Sequence, residues 1–198
     1  MKSKTWKKVD HSDLRNKVEL RRRFLPKDAR VLDLFCGRGN IYERVYKGNV
    51  LKYIGVDKNI IHDENICVKT NNIIFVTKNN INDFNVFDLD DYGSPWKVLY
   101  LILRKWIGDK ATFFITDGLV LSQKLSNKVT KFVSGTEKIP LRMKIPAINR
   151  FYIDIFSTML LDIQKRYNVK VEKAFYFFNE KKTVCYWVIN IKKIFKNI

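Results

Sequence analysis

The chain has 198 residues and a formal charge of +18, from 38 Lys and Arg against 20 Asp and Glu. Hydrophobic residues make up 46%, enough for a full core, which excludes a disordered tail protein. Three Cys, two His and four Pro exclude a disulfide scaffold and leave too few ligands for a structural metal site. No run reaches the about eighteen apolar residues of a membrane span. The first residues carry no apolar signal-peptide core, so the expectation is a soluble, cytoplasmic protein in a reducing compartment, a monomer or weak homodimer with no membrane partner.

In chain order, residues 9–24 read as a basic amphipathic helix with Ser12 or Asp13 as its cap, ended by Pro26. Residues 30–35 form a short apolar strand, the run after it a glycine turn, and the next helix ends at Gly48. Further strands are expected at 51–56, 72–77, 85–90 and 111–116, with helices at 96–107, 119–133 and 149–166. Two final strands close on the turn at 179–182 as a hairpin. Strands alternating with helices predict an open, largely parallel α/β sheet made mixed by the hairpin. The expected organisation is a basic N-terminal helical arm over 1–27, then one domain over 28–198 carrying a basic insertion at 119–150.

The charge is uneven. Residues 1–30 hold eleven Lys or Arg and four acids, and residues 119–150 hold seven basic residues and one acid, Glu137. Such clustering favours a polyanion, with nucleic acid as the expected partner. Arg21, Arg22, Arg23, Lys128, Lys131, Arg142, Lys144 and Arg150 are the candidate phosphate contacts.

Two motifs carry chemistry. The first is Asp33-Leu34-Phe35-Cys36-Gly37-Arg38-Gly39, where glycines let a ligand lie against bare main chain. Asp57 closes the next strand, eighteen residues after Gly39, where an acid can accept both hydroxyls of a ribose. A nucleotide-like cofactor is implied. The second is Asp88-Leu89-Asp90-Asp91-Tyr92-Gly93-Ser94-Pro95, a polar loop at the expected ligand edge of the sheet. Asp90 is placed to accept a hydrogen bond from an amino group, and Tyr92 offers a ring for stacking on a base. Asn79, Asn80 or Asp83, following the expected third strand, is a candidate contact for the base of such a cofactor.

The first motif resembles that of class I S-adenosylmethionine-dependent methyltransferases, over roughly residues 28–195. The resemblance implies a Rossmann-like fold with a seven-stranded mixed sheet and a C-terminal β-hairpin, and S-adenosylmethionine as cofactor. It places Asp33, Gly37, Gly39 and Asp57 around that cofactor; Phe35, Asn80 and Asp88, by their positions at or after strand ends, are further candidate cofactor contacts. The second motif resembles the D-x-D-P-F-G-S-P segment of tRNA guanine-26 N2 methyltransferases, with Asp91 where that family has Pro. This implies Asp90 and Tyr92 as catalytic residues, with Asp91, Ser94 and Pro95 lining the substrate. The expected reaction is methylation of an exocyclic amino group in a nucleic acid, RNA before DNA. A DNA adenine-N6 enzyme and a catalytically degenerate nucleic-acid-binding protein are the alternatives.

Overall fold

The computed structural model describes residues 13–59, 63–91, 95–118, 145–180 and 184–194. Seven strands form one sheet: β1 (Arg30–Asp33), β2 (Lys52–Asp57), β3 (Cys67–Lys69), β4 (Val86–Leu89), β5 (Lys110–Asp117), β6 (Val169–Phe178) and β7 (Cys185–Lys193). Their spatial order is β3-β2-β1-β4-β5-β7-β6. The first five strands run parallel, and β7 is antiparallel to both β5 and β6. The sheet is therefore mixed, with the hairpin at one edge, as the sequence implies.

Alternation along the strands divides the core in two. On one face, Val31, Val86, Phe114, Tyr186 and Val188 pack against α1 (Leu14–Phe24) and against α2 (Tyr42–Tyr46), a single wide π-type turn. On the other, Leu32, Phe87, Leu89, Phe113, Ile115 and Trp187 pack under α3 (Asn72–Lys78), α4 (Trp96–Lys105) and α5 (Ile145–Tyr167). Gly48, at φ +74°, ends the chain segment after α2 in the left-handed region, where glycine meets no steric penalty.

One expected strand is a helix. Residues 72–77 are rich in β-branched side chains and read as the third strand, yet they form α3. The Asn71 side chain accepts from the amides of Ile73 and Ile74 and starts the helix. Lys105 of α4 donates to the carbonyls of Val76, Thr77 and Asn79, each at 2.7 Å, and finishes it. Capping and packing thus outweigh local strand propensity. The true third strand is the three-residue Cys67–Lys69. The helix expected at 119–133 and most of the 119–150 insertion lie outside the described residues, while 145–150 open α5.

Among the described residues α1 begins at Leu14, and it packs against the sheet. Its N-cap residue, Asp13, makes no side-chain cap bond; its carboxylate instead accepts from the Tyr186 hydroxyl at 2.6 Å. Arg21 is 1% exposed and forms a bidentate pair with Asp88, itself fully buried, with both contacts at 2.6 Å. The Tyr46 hydroxyl donates to the same carboxylate, also at 2.6 Å. Burial opposes charge on Arg21, but the Asp88 carboxylate more than compensates and holds the guanidinium protonated. The expected roles of Arg21 on phosphate and Asp88 on cofactor are therefore corrected, because each neutralises the other inside the core.

Breaking this pair leaves a buried charge unpaired. Arg21→Met is expected to lower the unfolding free energy by about 3–5 kcal/mol in urea titrations. An Arg21→Met/Asp88→Leu/Tyr46→Phe triple variant should regain most of that loss, since no unpaired polar group remains.

Candidate functional site

The C-terminal ends of β1, β2, β3 and β4 meet along one edge of the sheet, the usual ligand crevice of an open parallel sheet. Asp33 ends β1, level with Gly55 of β2 and Asp88 of β4. The turn that follows stays tied to both neighbours. The Leu34 amide donates to the Asp88 carbonyl and the Cys36 amide to the Val56 carbonyl. Gly37 and Gly39 then take φ values of +50° and +71°, a backbone that side chains rarely adopt. Arg38 between them is exposed. Gly55 lets this turn settle on β2, because a Cβ there would lie 2.7 Å from Cys67 Sγ and 2.9 Å from Cys36 Cβ. Burial pushes the Cys36 thiol up, out of the reactive range.

Asp33 is buried beneath the turn. Its Oδ1 accepts from the Phe35 amide at 3.2 Å and its Oδ2 from the Tyr53 hydroxyl at 3.0 Å. Burial, and then the Asp88 charge, raise its carboxyl well above the usual range, only partly offset by these two donors and Arg21. Phe35 itself is half-buried against the larger core. Asp57 lies half-buried at the end of β2 and accepts from the Asn59 amide at 2.7 Å. Asp33, Phe35, Gly37, Gly39 and Asp57 therefore come together on one edge.

Asn80 does not join them. Since 72–78 is a helix that runs back along the sheet, Asn80 precedes β4 and bonds the Asn82 amide. Its neighbour Asp83 pairs with Lys52 at the opposite end of β2. The position sought for Asn80 falls to Thr70, Asn71 and Asn72, directly after β3. Locating them needed the strand boundary, which the β-branched run concealed.

Asp90 follows β4 at the crevice edge, 16% exposed. The Lys17 ammonium of α1 donates to both its oxygens, at 2.6 and 2.9 Å, and Arg21 lies 3.9 Å away. Burial alone would raise its carboxyl; Lys17 and Arg21 outweigh that and hold it below the ordinary carboxylate range. Lys17 is the residue that sequence reading missed. Its signal was spacing. Lys17 and Arg21 are one helical turn apart, about 6 Å, and Asp88 and Asp90 point the same way about 6.6 Å apart on a strand.

Pro95 is buried at the start of α4, its carbonyl accepting from Val98 and Leu99, so it anchors the helix. Asp91 is half-buried beside Asp90. Arg22 and Arg23 are exposed on α1. Tyr92, Gly93, Ser94, Lys128, Lys131, Arg142 and Lys144 lie outside the described residues, as does the side chain of Arg150. Among the described residues no cluster of His, Cys, Asp or Glu is placed to hold a metal ion, and no helix is long and apolar enough to cross a membrane.

No family model matches the chain, and no curated protein matches it. Solved structures do. TYW2 from M. jannaschii, in complex with AdoMet, is 10% identical with a TM-score of 0.58, covering 96% of this chain and 78% of its own. A candidate hemolysin from Lactococcus lactis is 13% identical at a TM-score of 0.56, covering 94% and 88%. The plantazolicin methyltransferase BpumL, in complex with a pentazolic substrate analogue and SAH, is 14% identical at a TM-score of 0.50, covering 94% and 87%. With the strand order described above, these place the chain in the class I methyltransferase fold.

The Lys17–Asp90 pair gives a pH signature. The folded-state pKa of Asp90 lies below the unfolded value of about 3.9, so the unfolded state binds more protons between the two. The pair's stabilisation is thus present above the unfolded value and lost as pH falls through the folded one. Lys17→Met is expected to cost about 1–2 kcal/mol at neutral pH, and its deficit against wild type should close in acid unfolding titrations.

Proposed function

We propose that this chain is an S-adenosylmethionine-dependent N-methyltransferase acting on an exocyclic amino group of a nucleic-acid base, RNA in preference to DNA. One observation carries the reading. The glycine turn, Asp33, Asp57 and Asp90 share the C-terminal edge of the sheet, and both basic segments join the fold there. Residues 1–12, with four Lys, lead into Asp13, which bonds Tyr186. Residues 119–144, with six Lys or Arg, follow β5 and Gly118. Phosphates can therefore be held around the same edge that holds the chemistry.

The residues fit the cofactor. Gly37 and Gly39 turn the chain at positive φ and bring no side chain to the crevice, and Asp57 offers carboxylate oxygens at the ribose position. Asp33, buried and with a raised pKa, gains from a cationic ammonium placed above it. When bound, the cofactor supplies an electrophilic sulfonium methyl group. Asp90 then accepts an N–H bond from the target amine and turns its lone pair toward that methyl. Because Lys17 and Arg21 hold Asp90 ionised and fixed, it serves as an oriented acceptor rather than a strong base. Asp90 stabilises the positive charge that grows on nitrogen, and the amine proton then passes to bulk water.

The Lys17 contact also favours a second reading, a nucleic-acid-binding protein in which Lys17 occupies the acceptor that a substrate amine would use. Incubation with labelled cofactor and separate tRNA, rRNA and DNA pools, followed by nucleoside mass spectrometry, separates the two. The first reading requires a methylated nucleoside; the second gives binding without label.

Two variants locate the roles. Asp57→Ala should weaken cofactor binding by about 1.5–3 kcal/mol in calorimetry, the worth of a hydrogen bond to a charged group. Asp90→Ala should leave that affinity nearly unchanged while slowing single-turnover methyl transfer by roughly 10²-fold.

A further inference from the structure

The C-terminal end of α1 carries a second constellation that the crevice does not use. Phe24 ends α1, and its ring lies 5.5 Å from that of Phe175 on β6. The Arg23 guanidinium sits over both rings, 5.5 Å from one centroid and 5.9 Å from the other. The Lys173 ammonium lies 5.9 Å from the Phe24 ring. Arg23 and Lys173 are exposed, and Phe175 is 38% exposed.

A backbone irregularity places these side chains together. β6 is the edge strand, and its register against β7 shifts between Val171 and Lys173. Beyond that bulge, Phe175 pairs with Val188 and Phe177 with Tyr186, both partners on the α1 face. Without the extra residue, Phe175 would pair with Trp187 and fall on the α5 face. The bulge therefore brings a phenyl ring under the cations of α1. The same helix carries Lys17 at its other end, seven residues before Phe24, or about 10 Å along the axis.

We propose that Arg23, Phe24, Lys173 and Phe175 form a docking platform for single-stranded nucleic acid flanking the target base. A base stacks against the Arg23–Phe175 pair, and Arg23 and Lys173 neutralise its phosphates. The proposal deepens, and rests on, the reading of the chain as a nucleic-acid methyltransferase. A net charge of +18 selects a polyanion over a second copy of the same chain, and exposed rings interleaved with cations are the chemistry by which single strands are held without sequence preference. α1 makes the platform continuous with Asp90, so one helix grips both the reacting end and its flank.

The test is fluorescence anisotropy with a labelled single-stranded oligouridylate, and its oligothymidylate counterpart, across a salt series. Phe175→Leu keeps apolar packing on Phe24 but loses the stacking face, and should weaken binding about tenfold. Phe175→Trp should restore it. Arg23→Gln should flatten the log–log salt slope by about 0.7, one phosphate contact on a single strand. Cofactor affinity and methyl transfer to a free nucleoside should stay at wild-type values in all three. Equal oligonucleotide affinity for wild type and Phe175→Leu would overturn the platform alone. So would a concentration-dependent dimer, seen by sedimentation, that Phe175→Leu abolishes while oligonucleotide binding stays intact. A wild type that binds oligonucleotides through Phe175 yet transfers no methyl group would keep the platform and end the catalytic reading. A wild type that binds no oligonucleotide would end both.

Discussion

Two carboxylates on one face of a buried strand set the terms for this molecule. Asp88 of β4 and Asp90 just after it both project toward α1, and each meets a cation there. α1 supplies two, Arg21 and Lys17, at a helical spacing that matches the strand's own repeat. The helix is thereby fixed in position and in rotation about its axis. Slipping it by one residue would bury an uncompensated charge and turn Val18 and Leu20 away from the core. The basic helix α1 is consequently tied to the crevice.

That arrangement also sets the electrostatics of the crevice. Arg21 spends its guanidinium on Asp88, and Asp88 in turn helps keep the neighbouring Asp33 reluctant to ionise. Asp90 stays charged at the rim because Lys17 faces it. Two acids a strand apart are thus driven in opposite directions, one toward the neutral form and one toward the charged form. The contrast between a buried, poorly compensated carboxyl and an ion-paired one suits the proposed reaction, in which a cationic ligand would lie at one end and an amine at the other.

Much of the fold was legible locally. Four of the five parallel strands announced themselves as short apolar runs, the hairpin as two aromatic-rich stretches around a polar turn, and the C-terminal edge of the sheet as glycines and acids at strand ends. The failures share a cause. Residues 72–77 carry a strand's composition, but the Asn71 cap and the Lys105 clamp, the latter 28 residues from Thr77, make them a helix. From that error followed the misplacement of Asn80, since swapping a helix for a strand reverses which end of the sheet the next loop occupies. The charge run at Arg21–Arg23 shows the same limit. Three adjacent arginines look alike in sequence, yet a helix turns each by about 100°, so one is buried on Asp88, one bonds a backbone carbonyl and one lies over two rings.

The sequence by itself determined the alternating architecture, the glycine turn with its acids at strand ends, and the strong positive charge, because each is written in residue type and short-range period. Only the tertiary structure decided which of those charged groups are spent on one another. Lys17 is 73 residues from Asp90 and Arg21 is 67 from Asp88. Whether a carboxylate faces a ligand or a lysine depends on how a helix lies across a strand, and desolvation makes that pairing obligatory only once the chain has folded around it.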